Sequence, residues 1–383
     1  MNFQLSDEQR QVKEMVHDLC VEQVAPRAAE IDARGEFPWD IKKLFQEHDI
    51  LGIPFEPEYG GVSGSALTLI LAVEEIAKVC ATSSLILSVQ SLGSLPIVLA
   101  GTEEQKRTYL PPLARGEKMA AYALTEPGSG SDAGGMRTRA ARHGDTYVLN
   151  GSKTFITGGS VADTIVVFAR TDQDGDTPAR HITAFVVERD TPGFRVGKLE
   201  KKLGIRGSPT AQLFFEDVAL PARNLVGQEG KGFQLAMRVL DHSRPGIAAQ
   251  ALGIAEGAFG VARRYARERR QFGKPIAEFE GLQFMLADMA TQIEAARMLV
   301  YAAGDALDRH LSDIGASSAM AKVFASDVAM RVTTDAVQVL GGYGYLRDFP
   351  VERMMRDAKI TQIYEGTNEI QRFVIARELL KTT

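Results

Sequence analysis

The sequence has little of what disulfide scaffolds and metal cages are made from. Only two cysteines occur, Cys20 and Cys80, far apart and in no Cys-x-x-Cys pair. That spacing excludes a disulfide framework and leads to the expectation of a reduced intracellular protein. The six histidines, His17, His48, His143, His181, His242 and His310, are scattered. No two stand at metal-binding separation on one helix face, so no zinc or iron site is expected. Positive charge is not in excess: the net charge is −5 and the pI about 5.8. This argues against a broad nucleic-acid surface and against a polybasic membrane anchor. Met1 to Cys20 carries acids early and lacks a continuous apolar core, unlike a signal peptide. No run of about 18 apolar residues is read anywhere, so no membrane span is expected. Internal repeats and low-complexity segments are absent too.

What is present is ordinary for a soluble globular protein: 45% hydrophobic and 24% charged residues in a chain of 383. That length predicts two or three domains. Periodicity divides it into residues 1–119, helical; 120–226, strand-like; and 227–383, helical again. In the first block, Ser6 followed by Gln9 has the form of a capping box, opening a helix through Val24 that Pro26 closes. Trp39 to Asp49, Ala66 to Val89 and Thr102 to Leu113 read as further helices, with Gly60-Gly61 and Gly64 marking a loop. In the middle block, Tyr147 to Gly151 and Thr154 to Thr157 predict a hairpin turning at Asn150-Gly151. Asp163 to Arg170, His181 to Glu188 and Ala211 to Val218 read as strands of an antiparallel sheet, with a polar loop over Asp172 to Asp176. The last block predicts helices over Gly232 to Arg267, Gly281 to His310, Ala316 to Leu340 and Asn368 to Lys381. The expected architecture is helix, then sheet or barrel, then a four-helix bundle.

Six segments could carry chemistry. In Tyr122 to Asp132, Gly128-x-Gly130-x-x-Ala133 matches a dinucleotide fingerprint by spacing. A charged stretch and a hairpin follow it instead of a helix, so that reading is rejected. A glycine-serine turn can still offer N–H groups and hydroxyls to a polar ring edge, or be a plain surface turn. Phe155 and Thr157 could cover and hydrogen-bond a flat ring, or form hairpin core. Asp241 and Arg244 precede Pro245, where a helix kink or boundary is expected, and could pair with each other or meet a phosphate-bearing ligand. Arg263, Arg264, Arg267, Arg269 and Arg270 form a solvated or inter-subunit face, or a phosphate site. Gly341 and Gly342 stop an apolar helix, or admit a ligand close to the backbone. Glu365 sits in a loop before a helix that Thr367 or Asn368 can cap, with Gln371 placed to complete a box. A loop carboxylate there can be a surface charge or a general base.

Taken in order, T-E-P-G-S-G-S-D at 125–132, F-I-T at 155–157, R-Q-F-G at 270–273, Q-V-L-G-G at 338–342 and Y-E-G-T at 364–367 resemble the acyl-CoA dehydrogenase family across essentially the whole chain. The resemblance implies an FAD-dependent α,β-dehydrogenation of a short- to medium-chain acyl-CoA, straight, branched or cyclic. Glu365 would take the α-proton, flavin N5 would take the β-hydride, and an electron-transferring flavoprotein would accept the electrons. Tyr122, Leu124, Thr125, Gly130 and Ser131 would cradle the flavin, Ser131 touching CoA as well. Phe155, Ile156 and Thr157 would cover it, Thr157 donating to N5. Arg269, Gln271, Phe272, Gln338, Val339, Leu340, Gly341 and Gly342 would bind the AMP half of an FAD in a neighbouring subunit of a homotetramer built of dimers. Thr367, Asn368 and Glu369 would close over the FAD phosphates. Asp241, Arg244, Tyr364 and Gly366 would meet the substrate.

Glu280 stands where many relatives carry glutamine. Ser243 occupies the position that holds the base in isovaleryl- and long-chain-specific relatives, which leaves Glu365 to serve and favours the short- and medium-chain arrangement. Ser84 stands where glutaryl-specific relatives carry an arginine, which disfavours a dicarboxylate. The chain-length pocket is expected along Leu85 to Val98 and the Pro245 helix. A bacterial cytoplasmic location is expected, or a mature mitochondrial matrix form. A related oxidase or a non-catalytic flavin-binding protein is the alternative.

Overall fold

The computed structural model describes residues 5–171, 181–312 and 314–381. The predicted Asp172 to Asp176 loop lies outside them.

Ser6 caps α1 (Asp7–Leu19) through the predicted box, its hydroxyl accepting from Gln9 N–H. The helix does not end at Pro26. A π turn over Cys20–Val24 and a 3-10 turn over Ala25–Arg27 lead directly into α2 (Ala28–Arg34). Pro26 sits in the first positions of its turn, where a missing N–H costs nothing. Termination falls to Gly35, left-handed at φ 66°. After α3 (Trp39–Glu47), the apolar stretch read as one helix is two, α4 (Ala66–Val79) and α5 (Ala81–Ala100). Cys80 breaks them with an extended backbone, φ −153° and ψ 100°, a break no helix-stopping residue announces. Helix α5 is long and apolar enough to cross a membrane by length and composition, which corrects the expectation that no such stretch exists. Yet 72% of its window is buried inside this fold, as in a core helix. Helix α6 (Glu103–Ala114) closes the block behind a second capping box, Thr102 with Gln105.

Eight strands follow: β1 (Ala120–Ala123), β2 (Arg139–His143), β3 (Thr146–Thr157), β4 (Thr164–Arg170), β5 (Ile182–Glu188), β6 (Phe194–Leu199), β7 (Thr210–Pro221) and β8 (Leu225–Val226). The order is β6-β7-β3-β2-β4-β5-β8, with β1 added beside β4. The sheet is mixed: β1 and β2 both run parallel to β4. Asn150-Gly151 is no turn, because β3 runs straight through it. The hairpin closes instead between His143 and Thr146, at Gly144 with φ 61°. Gly151, at φ 144°, takes up a register shift against β7, and a Cβ there would stand 2.6 Å from Thr138 Oγ1. The Asn150 amide meanwhile bonds Asp217 in both directions. Val166 and Phe168 of β4 pack toward α5 and α6, while Ile165, Val167 and Ala169 pack on the opposite face. That two-residue alternation buries both sides of the strand.

The third block holds α7 (Gly232–Glu268), the short ribbon β9 (Arg270–Gln271) and β10 (Lys274–Pro275), α8 (Glu280–Asp308), α9 (Ile314–Leu340), α10 (Val351–Thr361) and α11 (Asn368–Leu379). Among the described residues the four predicted helices are joined by α10, a short helix the periodicity did not show. Helix α7 continues unbroken through Pro245. Its buried face is rich in small residues (Ala248, Ala251, Ala255, Ala258, Ala262), as is that of α9 (Ala321, Ala325, Ala329, Ala336). Against α4 the approach is closer still. A Cβ on Gly253 would lie 2.3 Å from Glu74 O, and one on Gly257 2.1 Å from Lys78 O.

The turn that follows β1 is locked from beneath. Lys153 on β3 is fully buried; its Nζ donates to Leu124 O at 2.9 Å and to Glu126 Oε1 at 2.8 Å. Glu126 also accepts from Arg137 N–H and Thr138 N–H. Burial pushes the Lys153 ammonium down to about 8 despite its partner. Burial pushes Glu126 the other way, but the Lys153 charge and the N–H donors prevail and hold it below its usual range.

Two outcomes follow. Gly257→Ala should force α4 and α7 apart and cost about 1–3 kcal/mol, read as a lower unfolding midpoint. Lys153→Met strands a buried carboxylate and should cost about 3 kcal/mol in the same assay, whereas a surface change such as Lys43→Met should cost close to nothing.

Candidate active site

Glu365 lies in the loop between α10 and α11 with φ 50°. Its Oε2 accepts from Ser243 Oγ on α7 at 2.5 Å. The residue keeps some open surface, yet its carboxylate is deep in the fold. Burial raises its pKa, opposed by the Ser243 hydrogen bond and by the charges of Arg244 and Lys322. Beside it, Arg244 is buried at 3% exposure and donates to Asp241 Oδ1 at 2.6 Å. The plain reading of that pair, one acid bonding one cation on a helix face, is therefore what the structure shows. Even so, Arg244 Nε is buried without a partner, so the guanidinium has a donor left to offer a ligand.

A small cavity opens next to Glu365, lined by Leu69, Ile70 and Val73 of α4, Ser88 and Ser91 of α5, Ile247 of α7 and Leu307 of α8. Its volume is about 20 Å³, room for little more than one water. The expected Leu85 to Val98 segment contributes Ser88 and Ser91; α4 supplies the larger apolar wall and was missed. Ser84 is fully buried and accepts from Gln250 Nε2 at 3.0 Å, facing the core.

The loop from Thr125 to Asp132 is a tight turn, with Glu126 and Ser129 exchanging backbone hydrogen bonds. One 3-10 turn, Ala133–Gly135, leads from it into β2, so no helix follows and the rejection of the dinucleotide fingerprint stands. Thr125 O accepts from Thr154 N–H at 2.9 Å, which sets this turn beside Phe155, Ile156 and Thr157. Leu124 and Ile156 point into the core, and only their backbones can face a ligand. Tyr122 leans on Phe168 and reaches Ala236 O, while Gly130 and Ser131 are exposed.

A second locus forms where α7 ends. Arg269 lies over the Tyr343 ring at 5.5 Å, and Phe272 meets Phe279 edge-on. Gln271, Gln338, Gly341 and Gly342 are exposed around it, while the Val339 and Leu340 side chains are buried. Among the described residues, no contact of Arg269, Gln271 or Phe272 reaches Glu365.

Non-glycine residues with positive φ number seven among those described: Asp49, Phe155, Ile205, Asp217, Phe272, His310 and Glu365. Three of them are candidate site residues. Left-handed backbone is costly for a bulky residue and collects where a site needs it. Phe155 and Phe272 are also 63% and 92% exposed, an arrangement that leaves their ring faces open to stack on a flat ligand, with Phe272 meeting Phe279 only edge-on. The donor turn beside Phe155 and the free ring faces fit a flavin; among the described residues no three His, Cys, Asp or Glu are grouped to hold a metal ion.

Sequence reasoning missed the groups behind the base. Lys322 on α9 donates to Gly366 O at 2.7 Å and to Asn368 Oδ1 at 3.0 Å. Gln371 Nε2 donates to Glu365 O and Gly366 O in place of completing a capping box; Thr367 alone caps α11. The Asn368 amide is turned inward to Ser326 and Asp327. Tyr364 donates its hydroxyl to Gln250. One signal was available: Lys322 is the lone charge in the small, apolar run Ala319 to Ala325.

Comparison with known proteins agrees along the whole length. Three family models match: the acyl-CoA dehydrogenase N-terminal domain over residues 6–117, the middle domain over 121–218 and the C-terminal domain over 230–380. The short-chain-specific acyl-CoA dehydrogenase of Clostridium acetobutylicum is 52% identical, with all of both chains covered. Butyryl-CoA dehydrogenase of Megasphaera elsdenii superposes with a TM-score of 0.96 at 48% identity, again over all of both chains. A chain from a structural study of the electron transferring flavoprotein of Acidaminococcus fermentans superposes at 0.97 with 50% identity and the same full coverage. The helical blocks around a β-sheet, the buried loop glutamate and half of the sequence held in common with these enzymes make this chain an oxidoreductase of the acyl-CoA dehydrogenase family.

Proposed function

We propose that this protein removes hydrogen from Cα and Cβ of a short-chain acyl-CoA, with Glu365 as the base that takes the α-proton. The observation that carries this reading is the setting of Glu365: a buried carboxylate with a raised pKa, held by Ser243, beside a small cavity with an apolar wall from α4. A carboxylate at its ordinary pKa is a weak base for so weak a carbon acid; burial brings its strength toward the task. Among the described residues the Glu365 N–H donates to no backbone carbonyl. It is free to hydrogen-bond the thioester oxygen, where charge develops as the proton leaves. Asp241 and Arg244 orient the CoA portion.

The family is FAD-dependent. In this chain the turn from Tyr122 to Ser131, with Phe155 and Thr157, would hold the flavin ring. Arg269, Gln271, Phe272 and Gln338 to Gly342 would hold the nucleotide half, and Thr367 to Glu369 would close on the phosphates through backbone groups. Bound FAD supplies the acceptor for the β-hydride. In keeping with the family, we assign the Phe272 locus, which among the described residues stands apart from Glu365, to the cofactor of a neighbouring subunit in a tetramer. An electron-transferring flavoprotein as the next acceptor is supported by the likeness to the Acidaminococcus fermentans chain. The short acyl chain is supported by the names of the Clostridium and Megasphaera relatives.

Glu365→Gln should retain FAD and lose about a thousandfold in the rate at which butyryl-CoA bleaches the flavin under anaerobic conditions; full turnover in that variant would remove Glu365 from the role. Across straight, branched and cyclic acyl-CoAs, kcat/KM should be highest for four-carbon chains and fall for octanoyl-CoA. Because the base acts only when ionised, the bleaching rate should rise with pH through the Glu365 pKa. Ser243→Ala removes a hydrogen bond that favours the carboxylate, raises that pKa, and should move the rise to higher pH by about one unit.

A further inference from the structure

Lys322 is fully buried, and neither of its hydrogen-bond acceptors, Gly366 O and Asn368 Oδ1, carries a charge. A buried ammonium is among the costlier groups a fold can hold, and a neutral amide could tie down a carbonyl as well. Its position explains why the charge is kept. The acceptors are the residues immediately after Glu365, and the Lys322 cation and the Glu365 carboxylate attract each other through the fold. Asn368, the second acceptor, is itself fixed to Ser326 and Asp327 on the same helix. The whole turn after the base is thereby bolted to α9.

We propose that Lys322 is a positioning residue for the reaction: it anchors the Gly366–Asn368 turn so that Glu365 keeps its left-handed backbone and its carboxylate at Ser243, and its charge keeps that carboxylate ionised. This rests on Glu365 being the base. Among the described residues, the charged and titratable groups facing the pair are Arg244 on α7, Asp327 on α9, Glu369 on α11, Tyr122 on β1 and Tyr364 beside the base. Arg244 repels Lys322, while Asp327 and Glu369 attract it. Burial pushes Lys322 down to about 7 while the Glu365 carboxylate draws it back up, and burial raises Glu365 in turn. The sign follows directly. A nearby cation lowers a carboxylate pKa, and removing it must raise that pKa and delay the onset of activity on the pH axis.

The test measures anaerobic flavin bleaching by butyryl-CoA from about pH 6 to about pH 9, the span of a carboxylate raised toward neutrality. Purified holoenzyme is compared with Lys322→Met, Lys322→Gln and Lys322→Arg, each with its thermal midpoint recorded. Both neutral variants should shift the rise upward by about one pH unit, which is about fivefold in rate at the wild-type midpoint. Lys322→Arg should hold the wild-type position. A uniform loss of rate with an unmoved profile would overturn the proposal and leave a structural role. So would failure of both neutral variants to fold. Glu365→Gln separates the two claims: bleaching that survives there sinks the base itself, whereas its loss alongside an unmoved Lys322→Met profile sinks only the inference.

Discussion

The close approach of α7 to α4 and α9 is the constraint on which the site rests. Gly253 and Gly257 let the α7 backbone lie against carbonyls of α4 at distances no side chain would permit, and the alanine faces of α7 and α9 do the same on the other side. Interiors packed to this density move little. That rigidity fixes Ser243 and Arg244 on α7, Lys322 on α9 and the apolar wall of α4 around one loop residue. Glu365 needs no precision of its own, because its three surroundings come from elements that cannot shift independently.

The electrostatics of the site follow from the same packing. One carboxylate, one guanidinium and one ammonium are withdrawn from water within a few residues of each other, and each is pushed toward its neutral form by burial. The attraction of the carboxylate to the two cations offsets part of that cost without cancelling it, which is how a glutamate is left basic rather than merely paired. Had Arg244 bonded Glu365 directly, the carboxylate would have been stabilised as an anion and weakened as a base. Asp241 prevents this by engaging the guanidinium on its own helix.

Much of this was legible in the sequence where the signal is local. The Ser6 box, the strands around Val166 and Val186, and the long helices from Gly232 onward declare themselves by period and cap. What escaped is where tertiary contact overrules local preference. Asn150-Gly151 has the chemistry of a turn, yet a partner strand on each side makes it a bulge. Cys80 breaks a helix with no glycine or proline to announce it. Helix α10, Val351–Thr361, carries Glu352, Arg353, Arg356 and Asp357, which make part-buried ion pairs and backbone contacts, so residues that read as a solvated charged stretch belong to a packed helix. At the site, motif order found Glu365 and Phe155, but Lys322 and Gln371 act through loop carbonyls, and no spacing rule couples residues 322 and 366.

Backbone strain supplies the signal that motif and periodicity lack. Phe155, Phe272 and Glu365 each adopt a left-handed conformation that a glycine would take at less cost. For Phe155 the exchange would relieve strain and remove an exposed apolar ring together; for Phe272 it would give up only an edge-on contact with Phe279. Glu365 differs, since its left-handed turn is clamped from behind by Lys322 and Gln371 and from the front by Ser243. Strain at the Phe155 ring finds no such clamp, and that at Phe272 is offset only by one edge-on contact with Phe279; strain at the base is compensated by its neighbours on three elements.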